Sequence, residues 1–177
     1  MQVTTTQVES KKSMIFPSLA FLSVEPGYLN KVVEQLRSYR EIQFLSPLTG
    51  RFDLLLQVNS SDMNEVYSLI SKIRSIPGVR ATHTYFPIDG FLNATPKRDE
   101  VCAFMLINTR AEPKTLINNL KTITGVWGAY SVPGEFDIIV SLHARDYNEL
   151  LSTVQKVAEV QGVYASETLI AFRPVWA

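Results

Sequence analysis

Apolar and polar positions alternate along the chain in a way that predicts a fixed order of elements. Residues 15–24 are mostly apolar and suit a strand. Pro26 follows, at a place where the N–H it lacks would have no partner in a first helical turn. Leu29, Val32, Val33 and Leu36 then recur at i, i+3, i+4 and i+7, which is one apolar stripe of a helix. Residues 42–48 and 52–58 predict two strands on either side of Thr49-Gly50-Arg51. Asp62 opens a second helix with Glu65 three residues on, and Val66, Leu69, Ile70 and Ile73 form its stripe. Pro77-Gly78 ends that helix, and residues 79–88 form a last strand.

The same order then returns. Predicted elements cover 101–109, 113–124, 126–132, 136–142, 146–159 and 163–172. The repetition is also one of residues. Gly50-Arg51-Phe52-Asp53 matches Gly134-Glu135-Phe136-Asp137, 84 residues on. From 50/134 to 86/170 the two copies align without a gap, and 12 of the 37 pairs are identical. A fixed period of this kind is the mark of a duplicated unit. The reading is a first unit over 14–88, a linker over 89–98 carrying Gly90, Asn93, Pro96, Lys97 and Arg98, and a second unit over 99–177. Residues 1–13 are polar and read as a disordered segment.

Strand–helix–strand–strand–helix–strand is the ferredoxin-like order, an antiparallel sheet with both helices on one face. The strands, however, are apolar on both faces. Val101, Ala103, Met105 and Ile107 point one way, and Cys102, Phe104 and Leu106 the other. In the strand predicted over 136–142, Phe136, Ile138, Val140 and Leu142 share a face opposite Ile139. A lone sheet would leave that second face as an apolar patch larger than monomers carry. The fold class expected is therefore α+β, two tandem ferredoxin-like units packed sheet to sheet as an intramolecular pseudo-dimer, similar to a dimeric α+β barrel.

Composition narrows the function. The 177 residues hold 17 basic and 17 acidic side chains, and Lys and Arg occur in runs of no more than two. A dedicated nucleic-acid binder needs surplus positive charge to displace counterions. No apolar run reaches the ~18 residues of a membrane span, and the start of the chain has no apolar core of a signal peptide. The single cysteine, Cys102, suits a reducing compartment. The expected location is cytoplasmic, with no membrane and no direct nucleic-acid contact.

Ala20-Phe21, then Thr49-Gly50-Arg51-Phe52-Asp53, Ile76-Pro77-Gly78-Val79 and Thr82-His83-Thr84 together resemble the effector-binding (RAM) domain of the Lrp/AsnC family, the feast/famine transcription regulators. The second unit resembles it through Ala103-Phe104, Gly134-Glu135-Phe136-Asp137, Gly162-Val163 and Ser166-Glu167-Thr168. Family members usually carry a helix-turn-helix domain ahead of this one. Here residues 1–13 are too short for a three-helix DNA reader, so the expectation is two fused effector domains without it. The resemblance implies dimerisation through the sheets, a small amino-acid-like effector, assembly of pseudo-dimers into homo-oligomers, and partnership with helix-turn-helix-bearing family members.

A glycine turn exposes backbone N–H groups to a carboxylate, and a nearby Asp suits an ammonium. In the family this loop and the end of the last strand line the effector site. The resemblance thus points to Thr49, Gly50, Asp53, Thr84 and Tyr85, with Gly134, Asp137, Thr168 and Leu169. The same residues also suit a tight hairpin in which Gly takes positive φ and Asp bonds a turn amide. Thr49 becomes Pro133 and Arg51 becomes Glu135, so the loops would not prefer one ligand, and the first keeps the Thr-Gly pair.

Other motifs are structural. Asp62/Glu65 and Asp146/Glu149 read as helix caps. His83 and His143 occupy non-equivalent repeat positions and, with Cys102, make no metal-ligating cluster. Cys102 reads as a small core residue, Trp127, Tyr130, Tyr164 and Trp176 as packing, and Arg37, Arg40 and Arg51 as scattered. No cofactor is expected. The functional expectation is a ligand-sensing assembly module and not an enzyme. The alternatives are a small barrel enzyme of the monooxygenase or haem-handling type, and a purely structural oligomer.

Overall fold

A computed structural model describes residues 16–93, 96–172 and 174–176. The segment expected to be disordered, 1–13, lies outside the described residues. In the first unit β1 (Ser18–Val24), α1 (Leu29–Leu36), β2 (Ile42–Pro47), β3 (Leu54–Val58), α2 (Met63–Arg74) and β4 (Val79–Tyr85) follow in the expected order. Two more strands then frame the second unit: β5 (Asp89–Leu92) comes before it and β10 (Val175–Trp176) after it. Between them lie β6 (Val101–Thr109), α3 (Pro113–Leu120), β7 (Val126–Ser131), β8 (Ile138–Ala144), α4 (Tyr147–Ala158) and β9 (Val163–Ala171).

The sheets run β10-β2-β3-β1-β4 and β5-β7-β8-β6-β9. Each unit thus sends its last stretch of chain to the edge of the other unit's sheet. Phe91 pairs with Ala129, and Val175, 84 residues later, pairs with Leu45. The segment 89–98 is accordingly not all exposed linker: Phe91 is 6% exposed and packs with the second unit's core. Its apolar residues Phe91 and Leu92 satisfy an edge strand that would otherwise present free N–H and C=O groups.

Three apolar clusters make the interior. One lies between α1, α2 and the first sheet, and one between α3, α4 and the second. The third joins the sheets and takes residues from both units, including Phe21, Phe44, Leu55, Phe104, Tyr130 and Ile139. Ala103, Met105 and Ile107 face the helices while Cys102, Phe104 and Leu106 face the other sheet, as the alternation predicts. Phe136 differs. It joins Ile139 in the inter-sheet cluster, because it precedes the strand that begins at Ile138 and the two-residue period does not reach it. Phe44 and Phe104 meet edge to face across the interface, with centroids 5.6 Å apart.

Helix starts follow their caps. Asp62 Oδ1 accepts from the Asn64 amide at 2.8 Å, and Asp146 Oδ1 from the Glu149 amide at 2.8 Å. The first helix starts at Leu29, three residues after Pro26, because Glu25 to Tyr28 close a turn of their own.

Candidate functional site

The two glycine turns link β2 to β3 and β7 to β8. Gly50 has φ 113° and Gly134 φ 130°, a region open to glycine and strained for other residues. Each aspartate ties the far end of its turn to the end of a neighbouring strand, β1 or β6. Asp53 Oδ2 accepts the Val24 amide at 2.7 Å, and Asp137 Oδ2 accepts the Thr109 amide at 2.9 Å. The second carboxylate oxygen of each has no hydrogen bond among the described residues.

Each turn rests on the last strand of the opposite unit. A Cβ on Gly50 would sit 2.5 Å from Leu169 Cδ2, and one on Gly134 would sit 3.3 Å from Tyr85 Cε1. The structure therefore sorts the sequence-predicted residues into two composite loci. Gly50 meets Leu169 and Thr49 meets Ile170, while Gly134 meets Tyr85. Thr168 and Thr84, next to Leu169 and Tyr85 in β9 and β4, lie on the opposite, helix-covered face of those strands. Leu169 and Tyr85 are buried, while Thr49, Gly50 and Gly134 are exposed. The loci are not equal. Thr49 donates its amide to Ile170 O at 3.0 Å and accepts the Ile170 amide on Oγ1 at 3.3 Å. Pro133, at the matching position, has neither an amide proton nor a hydroxyl.

Between the loci stands Arg51. Its Nη1 is 3.0 Å from Glu135 Oε1 and its Nε 3.0 Å from Glu167 Oε2. The guanidinium also lies over the Phe136 ring at 5.2 Å and the Phe52 ring at 5.9 Å. The hydrogen bond to Glu135 raises the Arg51 pKa against the opposing effect of burial, and the charge of Glu167 adds to it. Burial pushes the Tyr85 phenol up, with Glu135 adding and Arg51 opposing. Nothing in the separate units marks Glu135 or Glu167 as partners of Arg51. The clue in the sequence is the charge reversal at repeat positions 51 and 135.

The remaining sequence motifs fall elsewhere. His83 is exposed, with its ring 5.2 Å from Phe52, and His143 Nδ1 is 3.2 Å from Glu100. Burial pushes the Cys102 thiol up to about 12, with the charge of Glu100 adding. Among the described residues no group of three His, Cys, Asp or Glu is placed to hold a metal. No helix among them is long and apolar enough to cross a membrane. Arg37 and Arg40 are not scattered: they share a cleft of about 370 Å³ with Tyr39, Leu45 and Val175. The spacing of three residues at the end of α1 was the signal for it. Thr168 also lines an apolar groove of about 610 Å³ between α4 and β9, with Leu151 and Ile170. At the matching place in the first unit the Tyr67 ring packs on Phe86 at 5.5 Å.

Two ferredoxin-like sheets joined face to face, with strands exchanged at both edges, define a dimeric α+β barrel folded within one chain. The model of the Lrp/AsnC ligand-binding domain matches it twice, over 19–96 and 102–177, and the chain belongs to that family. It is 31% identical over 81 residues to the HTH-type transcriptional regulator FL11 of Pyrococcus abyssi, covering 45% of this chain and 54% of that protein. The chain thus spans about half the length of that relative. In fold it is similar to the siroheme decarboxylase NirDL, with TM-score 0.68, 10% identity, and coverage of 89% of this chain and 71% of that one. It is also similar to a chlorite dismutase variant from Candidatus Nitrospira defluvii, with TM-score 0.60, 11% identity, and coverage of 89% and 90%.

These neighbours correct one expectation. The chain was expected not to be an enzyme, and its fold is one that two enzymes share, so the architecture does not separate regulator from catalyst. His83 and His143 line neither of the two clefts described above.

Proposed function

We propose that this chain is a regulatory module that binds a small amino-acid-type effector at the two composite loci. The first is built from Thr49, Gly50, Asp53 and Leu169 with the backbone of Thr168, the second from Tyr85, Gly134 and Asp137 with the backbone of Thr84. Turn amides suit the effector carboxylate, and the unbonded carboxylate oxygen of Asp53 or Asp137 suits its ammonium. Thr49 makes the first locus the better one. One observation supports this reading above the others: each turn is seated on a strand of the opposite unit. A ligand there bears on both units at once, which suits a sensor whose output is assembly. That output is association of pseudo-dimers with one another or with helix-turn-helix-bearing relatives, in the cytoplasm.

Thermal-shift measurement of the full chain against the twenty amino acids tests it. An effector at 100 times its Kd adds ~2.7 kcal/mol of stability. The hit is expected to lose its shift in Asp53→Ala more than in Asp137→Ala, and to change the light-scattering mass. No shift with any amino acid, or a shift untouched in both variants, rejects the effector reading. A haemin titration giving a Soret shift would replace it with a tetrapyrrole-binding one.

A further inference from the structure

The two units finish the same corner of the fold differently. Phe91 in β5 and Val175 in β10 hold equivalent positions, each at a sheet edge beside the first helix of the adjoining unit. In the second unit the Phe91 ring fills that corner, with Lys121 Nζ 5.6 Å from its centroid. In the first unit Arg37 stands where Lys121 stands in the second, but Val175 brings no ring. What is left is the cleft of about 370 Å³, within the range of small-molecule pockets. Its floor is apolar, through Ile42 and Leu45, and its rim carries Tyr39 and a second cation, Arg40, where the other unit has Thr124. Arg37 has a carboxylate partner, Glu34, at 3.4 Å, and both are at least half exposed. No carboxylate among the described residues lies within ion-pair distance of Arg40.

We propose that this cleft binds a small carboxylate bearing an aryl group, in a site separate from the glycine turns. The aryl ring takes the place that Phe91 fills in the other unit, under Arg37 as Phe91 lies under Lys121. The carboxylate pairs with Arg40, whose planar fork matches it with two charge-assisted hydrogen bonds. The ring without the carboxylate leaves Arg40 unpaired, and the carboxylate without the ring leaves the apolar floor wet. Both parts are therefore required. The site does not depend on the effector reading given above, since none of its residues belongs to the turns.

Calorimetric titration of the full chain with 3-phenylpropionate tests this, with 2-phenylethanol and propionate as the two half-ligands. Saturable binding is expected for 3-phenylpropionate, in the millimolar range or tighter for a ligand of this size, and not for either half. Arg40→Gln changes an exposed side chain and is expected to weaken binding about tenfold. Val175→Phe supplies the missing ring and is expected to abolish binding while the melting temperature holds or rises. Asp53→Ala and Asp137→Ala are expected to bind as the wild type does. Three results overturn the proposal: no saturable binding by the wild type, affinity unchanged in both Arg40→Gln and Val175→Phe, or loss only in the aspartate variants. The last would move the ligand to the turns, so failure of this site and failure of the turn reading are told apart.

Discussion

Arg51 is bonded to Glu135, the residue that holds its own position in the second repeat, at 3.0 Å and 84 residues away. Two equivalent residues touch only on the pseudo-twofold axis, so this pair marks where the axis leaves the molecule. A dimer of two first units would set Arg51 against Arg51, and one of two second units Glu135 against Glu135. The reversed charge favours the arrangement that the single chain adopts.

Arg51→Glu is expected to gather three carboxylates with positions 135 and 167. The loss should be about 1 kcal/mol, the upper range for exposed pairs, and smaller at high salt. Adding Glu135→Arg should recover part of it, since a pair re-forms on the axis while Glu167 loses its cation. Urea unfolding of both variants at low and high ionic strength checks this. Equal midpoints for all three proteins at low salt would show that the pair is idle.

Gly50→Ala and Gly134→Ala both place a side chain at positive φ, and each should cost on the order of 1 kcal/mol for that alone. The contacts separate them, because the new Cβ meets Leu169 at 2.5 Å in one case and Tyr85 at 3.3 Å in the other. Gly50→Ala should be the more destabilising, by thermal unfolding. The reverse order would mean that β9 yields more readily than β4.

Phe91 lies in a stretch whose composition suggests a linker. Phe91→Ala should cost ~3–5 kcal/mol, the range for deleting a buried phenyl group, because its ring packs in the second unit's core. Leu92→Ala, at a residue 39% exposed, is the control and should cost far less. Denaturant midpoints compare the two.

Stability should fall at alkaline pH. Burial holds the Cys102 thiol near 12 in the folded state against an ordinary value of 9.0, and also raises the Tyr130 phenol above 10.0. In the folded state these groups keep their protons, so the unfolded chain binds fewer as pH climbs. Their contribution is complete below about pH 9 and is lost as pH rises toward 12. Tyr130→Phe with Cys102→Ala should flatten the pH dependence of unfolding in that window. Native Cys102 should also resist iodoacetamide at pH 8, reacting only as the protein unfolds, because the thiolate is the nucleophile.

Ser141 is fully buried on the inter-sheet face, and its hydroxyl has no hydrogen-bond partner among the described residues. Removing an unsatisfied buried hydroxyl is expected to leave stability unchanged or raise it by up to ~1 kcal/mol. Ser141→Ala in a urea titration reads this. A loss well beyond 1 kcal/mol would mean that the hydroxyl is satisfied in solution.

The sequence was enough for the repeat, the element order, the helix caps and the two-sided strands. All of these rest on periods of 2 and 3.6 and on local chemistry at Asp62, Asp146 and the glycine turns, which short windows contain. Two-sided apolar strands such as Cys102 to Ile107 even forced the conclusion that the sheets face each other. Phe136 marks the edge of that logic, since the alternation cannot be carried past the end of a strand. Strands β5 and β10 were missed because four and two residues give no measurable period. What makes them strands is the free edge of a sheet in the other unit.

The candidate site divides in the same way. Gly50, Asp53, Gly134 and Asp137 could be named from their repeated spacing, because a turn needs its glycine and its bracing aspartate wherever it lies. That Gly50 would be capped by Leu169, that Arg51 would pair with Glu135 and Glu167, and that Arg37 and Arg40 would share a cleft with Val175 were decided by tertiary structure. These partners lie far apart along the chain, and only the pseudo-twofold packing and the exchanged edge strands bring them within a few ångströms.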